Sequence, residues 1–137
     1  MIIDATDLIA GRVATVAAKT ALLGEKVDIV NCEKGVIAGK KDYILHAYRN
    51  KMHRGTFKGP YLPRRPDLFY KRLIRGMLPY KKQRGGQAFD RIRCHIGVPE
   101  NLKDQKADTI ETANVQKLPN LNYLTIRDIC KFLGARI

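Results

Sequence analysis

Apolar and polar positions along the chain repeat with two different periods, and the switches between them mark out the first elements. Met1–Thr6 is short and apolar and reads as a strand. From Ile9 to Leu23 apolar residues recur at helical spacing through Val13, Val16, Ala17, Thr20 and Leu23. Asp7 is placed to cap the start of that helix and Gly24 to stop its end. Lys26–Asn31 alternates and carries β-branched residues, which predicts a second strand. A strand, a helix and a strand in succession form a βαβ unit, which favours a parallel pair joined by a right-handed crossover.

Further along, Gly35–Ala38 predicts another short strand, and Lys41–Lys51 a helix with Tyr43, Ile44, Ala47 and Tyr48 on one side. His53–Arg65 mixes Gly, Pro and basic residues and reads as an irregular loop, long enough to suggest a task of its own. Pro66 suits the first turn of a helix running to about Leu78. At 100° per residue, Phe69, Tyr70, Leu73, Ile74 and Met77 share one face of it, while Lys71, Arg72 and Arg75 cluster opposite. Lys81–Gly86 reads as a basic turn, Gln87–Ile92 as a short helix and Arg93–Val98 as a strand. Pro99–Asn122 is polar and shows no clear period. Thr125–Leu133 predicts a last helix: Thr125 and Asp128 fit a capping pair, Ile126, Ile129, Cys130 and Leu133 form the apolar stripe, and Gly134 ends it. The 137 residues show no internal repeat and fit one domain.

Charge changes this picture. Lys and Arg number 26 against 13 Asp and Glu, a formal net charge of +13. Residues 1–39 carry four basic and five acidic side chains, and residues 94–137 six and five. Residues 40–93 carry sixteen and three, so the whole excess lies in the middle of the chain. Eight of the ten aromatics (Tyr43, Tyr48, Phe57, Tyr61, Phe69, Tyr70, Tyr80 and Phe89) fall in the same stretch. Cations neutralise phosphates and aromatic rings stack on unpaired bases, so this composition suits a folded nucleic acid. Phe69 and Tyr70 are better read as core. A basic amphipathic helix also binds anionic membrane surfaces, but loop charges interleaved with Gly and Pro fit a folded polyanion better. No apolar run approaches the length of a membrane span, and no secretory signal is expected.

Catalytic chemistry finds little support. Gly35-Val-Ile-Ala-Gly39-Lys40-Lys41 has three residues between its glycines where a phosphate loop needs four, and Lys41 stands where Ser or Thr would bind magnesium. His46, His53 and His95 accompany no recognisable nucleophile motif. Of the three carboxylates in the basic region, Asp42, Asp67 and Asp90, two lie at or near expected helix starts, where the macrodipole favours them. Cys32, Cys94 and Cys130 are widely spaced, which predicts buried thiols in a reducing compartment and neither a disulfide framework nor a zinc site. No cofactor is expected.

Specific blocks then stand out. Asp4-Ala5 is followed by Leu8-Ile9-Ala10-Gly11-Arg12, and Ile29-Val30-Asn31-Cys32-Glu33-Lys34 runs into Gly39-Lys40. Arg75-Gly76-Met77-Leu78-Pro79 leads to a basic turn ending at Gly85 and to Ile96-Gly97-Val98-Pro99. Over essentially its whole length the sequence resembles the ribosomal protein uL13 family in its archaeal form, with Cys32 in place of an alanine common in that segment. The resemblance implies a three-layer α/β/α domain around a mostly parallel, roughly four-stranded sheet, with a basic helix-and-loop region. It also implies a non-enzymatic constituent of the large ribosomal subunit, cytoplasmic with the ribosome and monomeric within it. Its partners would be large-subunit (23S-type) rRNA and neighbouring ribosomal proteins, the latter through the polar C-terminal part.

With the charge map, the resemblance gives a contact set of Lys40, Lys41, Arg49, Lys51, His53, Arg54, Lys58, Arg64, Arg65, Lys71, Arg72, Arg75, Lys81, Lys82 and Arg84. Arg12 is carried over from the Gly-Arg block, where an ordinary helix-surface charge is the competing reading. Gly76 is expected to permit a close approach at a helix end, and Met77 to anchor the core. Two other functions remain in competition: a regulator whose same basic surface binds a messenger RNA, and a nucleotide-dependent RNA-modifying enzyme built on the βαβ unit.

Overall fold

A computed structural model describes all 137 residues as a mixed α/β fold. The opening is as expected: β1 (Ile2–Asp4), α1 (Ala10–Leu22) and β2 (Val27–Val30), with Ile2, Ile3 and Asp4 parallel to and opposite Asp28, Ile29 and Val30. β6 (Ile92–Cys94) joins the other side of β2, also in parallel, giving a sheet of order β1-β2-β6. The strand expected over 93–98 thus begins one residue earlier and is shorter. Its pairing nevertheless continues through the carbonyls of His95 and Gly97, which accept from the N–H groups of Cys32 and Asn31 at 3.1 and 3.0 Å. Beside β1, a one-residue parallel pairing of Ile3 with Asp108 fills the next position.

β3 (Val36–Ala38) does not join this sheet. It pairs antiparallel with β7 (Tyr123–Thr125), a strand that the polar 99–122 stretch and its aftermath did not predict. The cause is local. Asn31 adopts a left-handed φ of 55°, and a single 3₁₀ turn over Cys32–Lys34 steers the chain out of the parallel sheet.

The buried face of α1 differs from the expected one. Ala10, Val13, Ala14, Ala17, Ala18 and Ala21 are buried, while Val16 and Thr20 are half-buried and Leu23 is exposed. Alanines carry a weak hydrophobic signal, yet their small side chains let the helices over Pro66–Arg75 and Gln83–Asp90 approach closely. Asp7 is not the cap: it sits at φ 55°, and Ile9 occupies the cap position without a side-chain bond. Tertiary pairing fixes that end instead, through Leu8 with Asn114 and Ile9 with Val36. Gly24 does end the helix, at φ 108°.

The basic stretch builds α2 (Lys41–His53), a hairpin of β4 (Gly55–Thr56) and β5 (Gly59–Pro60), α3 (Pro66–Arg75) and α4 (Gln83–Asp90). On α2, Ile44 and Tyr48 are buried but Tyr43 is exposed. On α3, Phe69, Tyr70 and Ile74 are buried as expected, and the helix stops three residues early. Beyond Arg75 the N–H groups of Met77 and Leu78 bond three residues back, to Ile74 and Arg75. That tighter winding turns Leu78 inward and leaves Met77 45% exposed, so Met77 is not a core anchor. α5 (Ile126–Phe132) keeps its expected stripe and stop, and the Thr125 hydroxyl accepts from the Asp128 N–H at 3.2 Å. Cys32 and Cys130 are buried and Cys94 is half-buried, all three unpaired.

Asp4 ties the end of β1 to the turn after β2. Its Oδ1 accepts from the Thr6 hydroxyl at 2.7 Å, the Asn31 side-chain amide at 2.9 Å and the Thr6 N–H at 3.0 Å. Partial burial raises its pKa, but these bonds outweigh that and hold it below the ordinary 3.8. A depressed folded pKa gives stability that is present above the unfolded value and lost as pH falls through the folded one. Asp4→Ala is therefore expected to cost on the order of 1–2 kcal/mol at pH 7. In denaturant titrations, the gap between wild type and variant should hold from pH 7 to about pH 5 and narrow as pH falls below 3.8.

Candidate nucleic-acid interface

Positive charge in residues 40–93 is left almost wholly uncompensated by the fold. Among all 26 Lys and Arg, only Arg65 pairs with a carboxylate, that of Asp67 at 2.7 Å. The other hydrogen-bonded carboxylates serve the fold: Asp4 as above, Asp28 against His95, Glu33 accepting from the Gly97 backbone N–H and Asp128 at the α5 cap. Aromatic rings hold several of the cations in place instead. Arg49 lies over Phe132 and Lys51 over Tyr48, each at 4.7 Å; Lys71 lies over Phe89 at 4.6 Å and Arg75 over Tyr80 at 4.7 Å. A ring face attracts and orients a cation without cancelling its charge. The result is a surface of positioned cations that still lack anions.

Of the expected contact set, Lys71, Arg72 and Arg75 on α3 are half-buried and the other thirteen residues are exposed. Three grooves gather about half of the set around the 55–64 segment, which forms a small hairpin where an irregular loop was expected. One, of about 530 Å³, lies between the end of α2, the hairpin and α5, and holds Arg49, His53 and Arg64. A second, of about 460 Å³, holds Lys71, Arg72 and Arg75 with Tyr61 and Phe89. A third, of about 390 Å³, holds Lys51, Arg54 and Arg72 with Tyr48 and Tyr61. Pro60 borders the first two grooves, while Tyr61, Leu62 and Arg72 border the last two, so one short segment divides all three.

Other members of the set lie apart from these grooves. Lys40 and Lys41 stand at the start of α2, Lys58 at the hairpin turn, and Arg65 is the ion-paired residue. Lys81 and Lys82 lead into α4, and Arg84 lines a separate, mostly apolar groove with Met77 and Lys19. Arg12 donates to the Thr112 carbonyl at 2.6 Å, a bond within the fold that gives it a structural task. Sequence reasoning left out Arg91 and Arg93. They share a small groove with Asp28 and Asp90, and Arg91 donates to the Ala21 carbonyl, so both sit in a mixed-charge setting. What it did not single out is Phe57, which is fully exposed at the hairpin turn.

Features suggestive of catalysis resolve into structural ones. Val36–Ala38 is strand, so Gly35 and Gly39 bracket a strand and make no phosphate cradle. His46 bonds Asn50 at 3.0 Å one helical turn away, and His95 bonds Asp28 at 3.0 Å. No three His, Cys, Asp or Glu side chains cluster as metal ligands would. Burial and the nearby Asp67 carboxylate push the Cys130 thiol up to about 12, and a hydrogen bond with Cys94 together with burial raises Cys32, so both stay protonated and unreactive. No helix is long and apolar enough to cross a membrane.

The site thus defines a class first: an α/β protein with a basic surface, several of whose cations are braced by rings and only one of which is paired with a carboxylate. Its sequence then places it among known proteins. The model of the family "Ribosomal protein L13" matches residues 1–101. The chain is 39% identical over 137 residues to the large ribosomal subunit protein uL13 of Halobacterium salinarum, covering 100% of this chain and 92% of that protein. It is 43% identical to the uL13 of Methanosarcina barkeri, covering 98% of each chain. To the uL13 of Archaeoglobus fulgidus it is 42% identical, covering 98% of this chain and 88% of that one. The chain belongs to the ribosomal protein L13 family, a family of ribosomal structural proteins and not of enzymes.

The Arg75–Arg84 segment is positioned by glycine. Gly85 and Gly86 suggest a turn, yet both lie inside α4. A Cβ on Gly85 would overlap the Pro79 carbonyl, whereas one on Gly86 would meet nothing within 4 Å. The first turn of α4 therefore packs directly on the turn that follows Arg75. Gly85→Ala is expected to destabilise by roughly 1–3 kcal/mol, because the obstacle is backbone. Gly86→Ala should stabilise by about 0.4–1 kcal/mol by restricting the unfolded chain. Melting temperatures of the two single variants, moving in opposite directions, check both.

Proposed function

We propose that the protein is a structural constituent of the large ribosomal subunit that binds large-subunit, 23S-type rRNA through the basic surface of residues 40–93, as a monomer within the cytoplasmic ribosome. The observation that carries this is the surplus of sixteen cations over three carboxylates in that region, with a single internal ion pair to offset it. RNA phosphates supply the missing anions, and the three grooves around residues 55–64 offer several cations to one folded backbone. The contact set is the sixteen residues from Arg12 to Arg84 named above, with Arg12 the weakest member because it is already bonded to Thr112. All 137 residues act as one domain, whose near-neutral ends hold the basic surface in shape and whose polar C-terminal part meets neighbouring ribosomal proteins. The three-layer α/β/α arrangement around a roughly four-stranded sheet belongs to the same reading, supported by three parallel strands and the pairing at Asp108. The protein's work is to hold rRNA in its folded form, supporting assembly and translation.

Sedimentation of native lysate tests the placement. The chain should travel with the large subunit and stay there through a high-salt wash; recovery only in light fractions refutes it. The electrostatic mechanism is tested separately with Arg72→Gln and Arg75→Gln combined. If both arginines neutralise phosphates, the slope of log affinity against log salt should flatten by roughly 1.4–1.8. Both side chains lie on the face of α3 opposite its buried stripe, so melting should remain cooperative. An unchanged slope refutes their contact with phosphate.

A further inference from the structure

From Tyr43 to Pro66 the chain contains no Asp or Glu, while it carries Arg49, Lys51, Arg54, Lys58, Arg64 and Arg65. The hairpin of Gly55–Thr56 and Gly59–Pro60 rises from the middle of this stretch. It is unusually thin. A Cβ at Gly55 would lie 3.1 Å from the Gly59 carbonyl oxygen across the pair, and Gly59 adopts a φ of 105° that other residues rarely take. Backbone thus fills nearly all of it, and Thr56, Phe57 and Lys58 are the only side chains near its tip. Phe57 has no intramolecular cover at all, its exposure exceeding that of the reference state. By contrast, every other phenylalanine touches something: Phe69 is buried against Tyr48, Phe89 underlies Lys71 and Phe132 underlies Arg49.

A fully exposed phenylalanine costs solvation free energy that the fold does nothing to relieve. Its immediate surroundings are cationic: Arg54 and Lys58 flank it in sequence, and the hairpin walls the groove of Arg49, His53 and Arg64. An apolar protein partner would bury these charges without neutralising them, which is strongly unfavourable. An unpaired nucleotide satisfies both demands together, with its base offering a flat face to the ring and its phosphates facing the cations.

We propose that Phe57 is a stacking finger that takes an unpaired base of the bound RNA at the tip of the 55–60 hairpin. This rests on the RNA-binding reading above. It adds that the surface senses an unpaired nucleotide as well as phosphate density. Phosphate contacts alone are blind to base pairing, whereas a stacked ring needs an open base. The hairpin therefore discriminates a looped or bulged RNA from a continuous duplex.

The chain contains no tryptophan, so Phe57→Trp installs a single fluorescent reporter at the finger. The full chain would be titrated with in vitro transcribed large-subunit rRNA and, separately, with a fully paired RNA duplex. The rRNA should quench the indole emission and the duplex should not. Phe57→Ala should weaken rRNA affinity about 5- to 150-fold with an unchanged salt slope. Phe57→Tyr should retain affinity and Phe57→Leu should not. Unchanged affinity of Phe57→Ala together with undisturbed emission overturns the finger while leaving RNA binding intact. Failure of wild type to bind rRNA even at low salt overturns the RNA reading itself. Rescue by leucine, or equal quenching by duplex, replaces stacking with simple apolar contact or proximity. Loss of Phe57→Ala from assembled subunits at undiminished rRNA affinity would assign the ring to a protein neighbour. Because Phe57 packs on nothing, its variants should melt with wild type; a marked drop would show an intramolecular role and also overturn the proposal.

Discussion

Burial of one face of α3 joins the neutral part of this molecule to its charged part. Phe69, Tyr70 and Ile74 are inaccessible to solvent and pack toward α1, β6, α5 and the turn after β2. Burying Phe69 and Ile74 contributes roughly 3–6 kcal/mol relative to leaving them exposed, and the ring of Tyr70 adds to this less the cost of its buried, unpartnered hydroxyl. The opposite face carries Lys71, Arg72 and Arg75. Because the helix cannot turn without exposing its apolar stripe, the direction of those cations is fixed by the core. The same packing sets the turn after Arg75, and that turn sets α4 through Gly85. The placement of the basic surface is thus inherited from apolar contacts that carry no charge.

Within that frame, aromatic rings take the place that carboxylates usually hold. A conventional protein surface balances its lysines and arginines with acids, and exposed pairs of that kind are weak and cancel each other's field. Here Phe132, Tyr48, Phe89 and Tyr80 hold four cations by their ring faces. Side-chain freedom is reduced while the field remains directed outward. Within residues 40–93 three of the eight rings, Tyr48, Tyr80 and Phe89, brace a cation, Phe69 and Tyr70 are core, and Phe57 is the phenylalanine that the fold leaves uncovered.

The opening βαβ unit, the α3 face, the α5 cap and the concentration of charge were all legible in the sequence, because each is a local pattern with a definite period or composition. What was not legible depends on contacts distant in sequence. The alanine face of α1 has little hydrophobic signal and is defined by what packs on it. Asp7 looks like a cap, but Ile9 is fixed by pairing with Val36 and Leu8 by pairing with Asn114. Gly85 reads as a turn residue, and only the proximity of Pro79 explains a glycine inside a helix. β7 is three residues long and follows a stretch without periodicity, so it exists only by virtue of β3. In the candidate interface, charge composition pointed to side chains that the fold leaves exposed or half-buried, but not to their grouping. Three grooves around one segment arise from the hairpin, whose glycines read as irregular loop.

Chain order gives the two strand pairings a temporal meaning. β2 meets β6, and β3 meets β7, across nearly all of the basic segment, so residues 40–91 form an excursion fastened at its base. Neither pairing is available until that segment has been synthesised. A growing chain must therefore bring a run of mutually repelling side chains into a compact shape before its sheets close, and such long-range pairings form slowly. Salt ions that gather around the emerging segment lower this repulsion, so for this topology ionic strength bears on how fast the sheets close as well as on how charged the finished surface is.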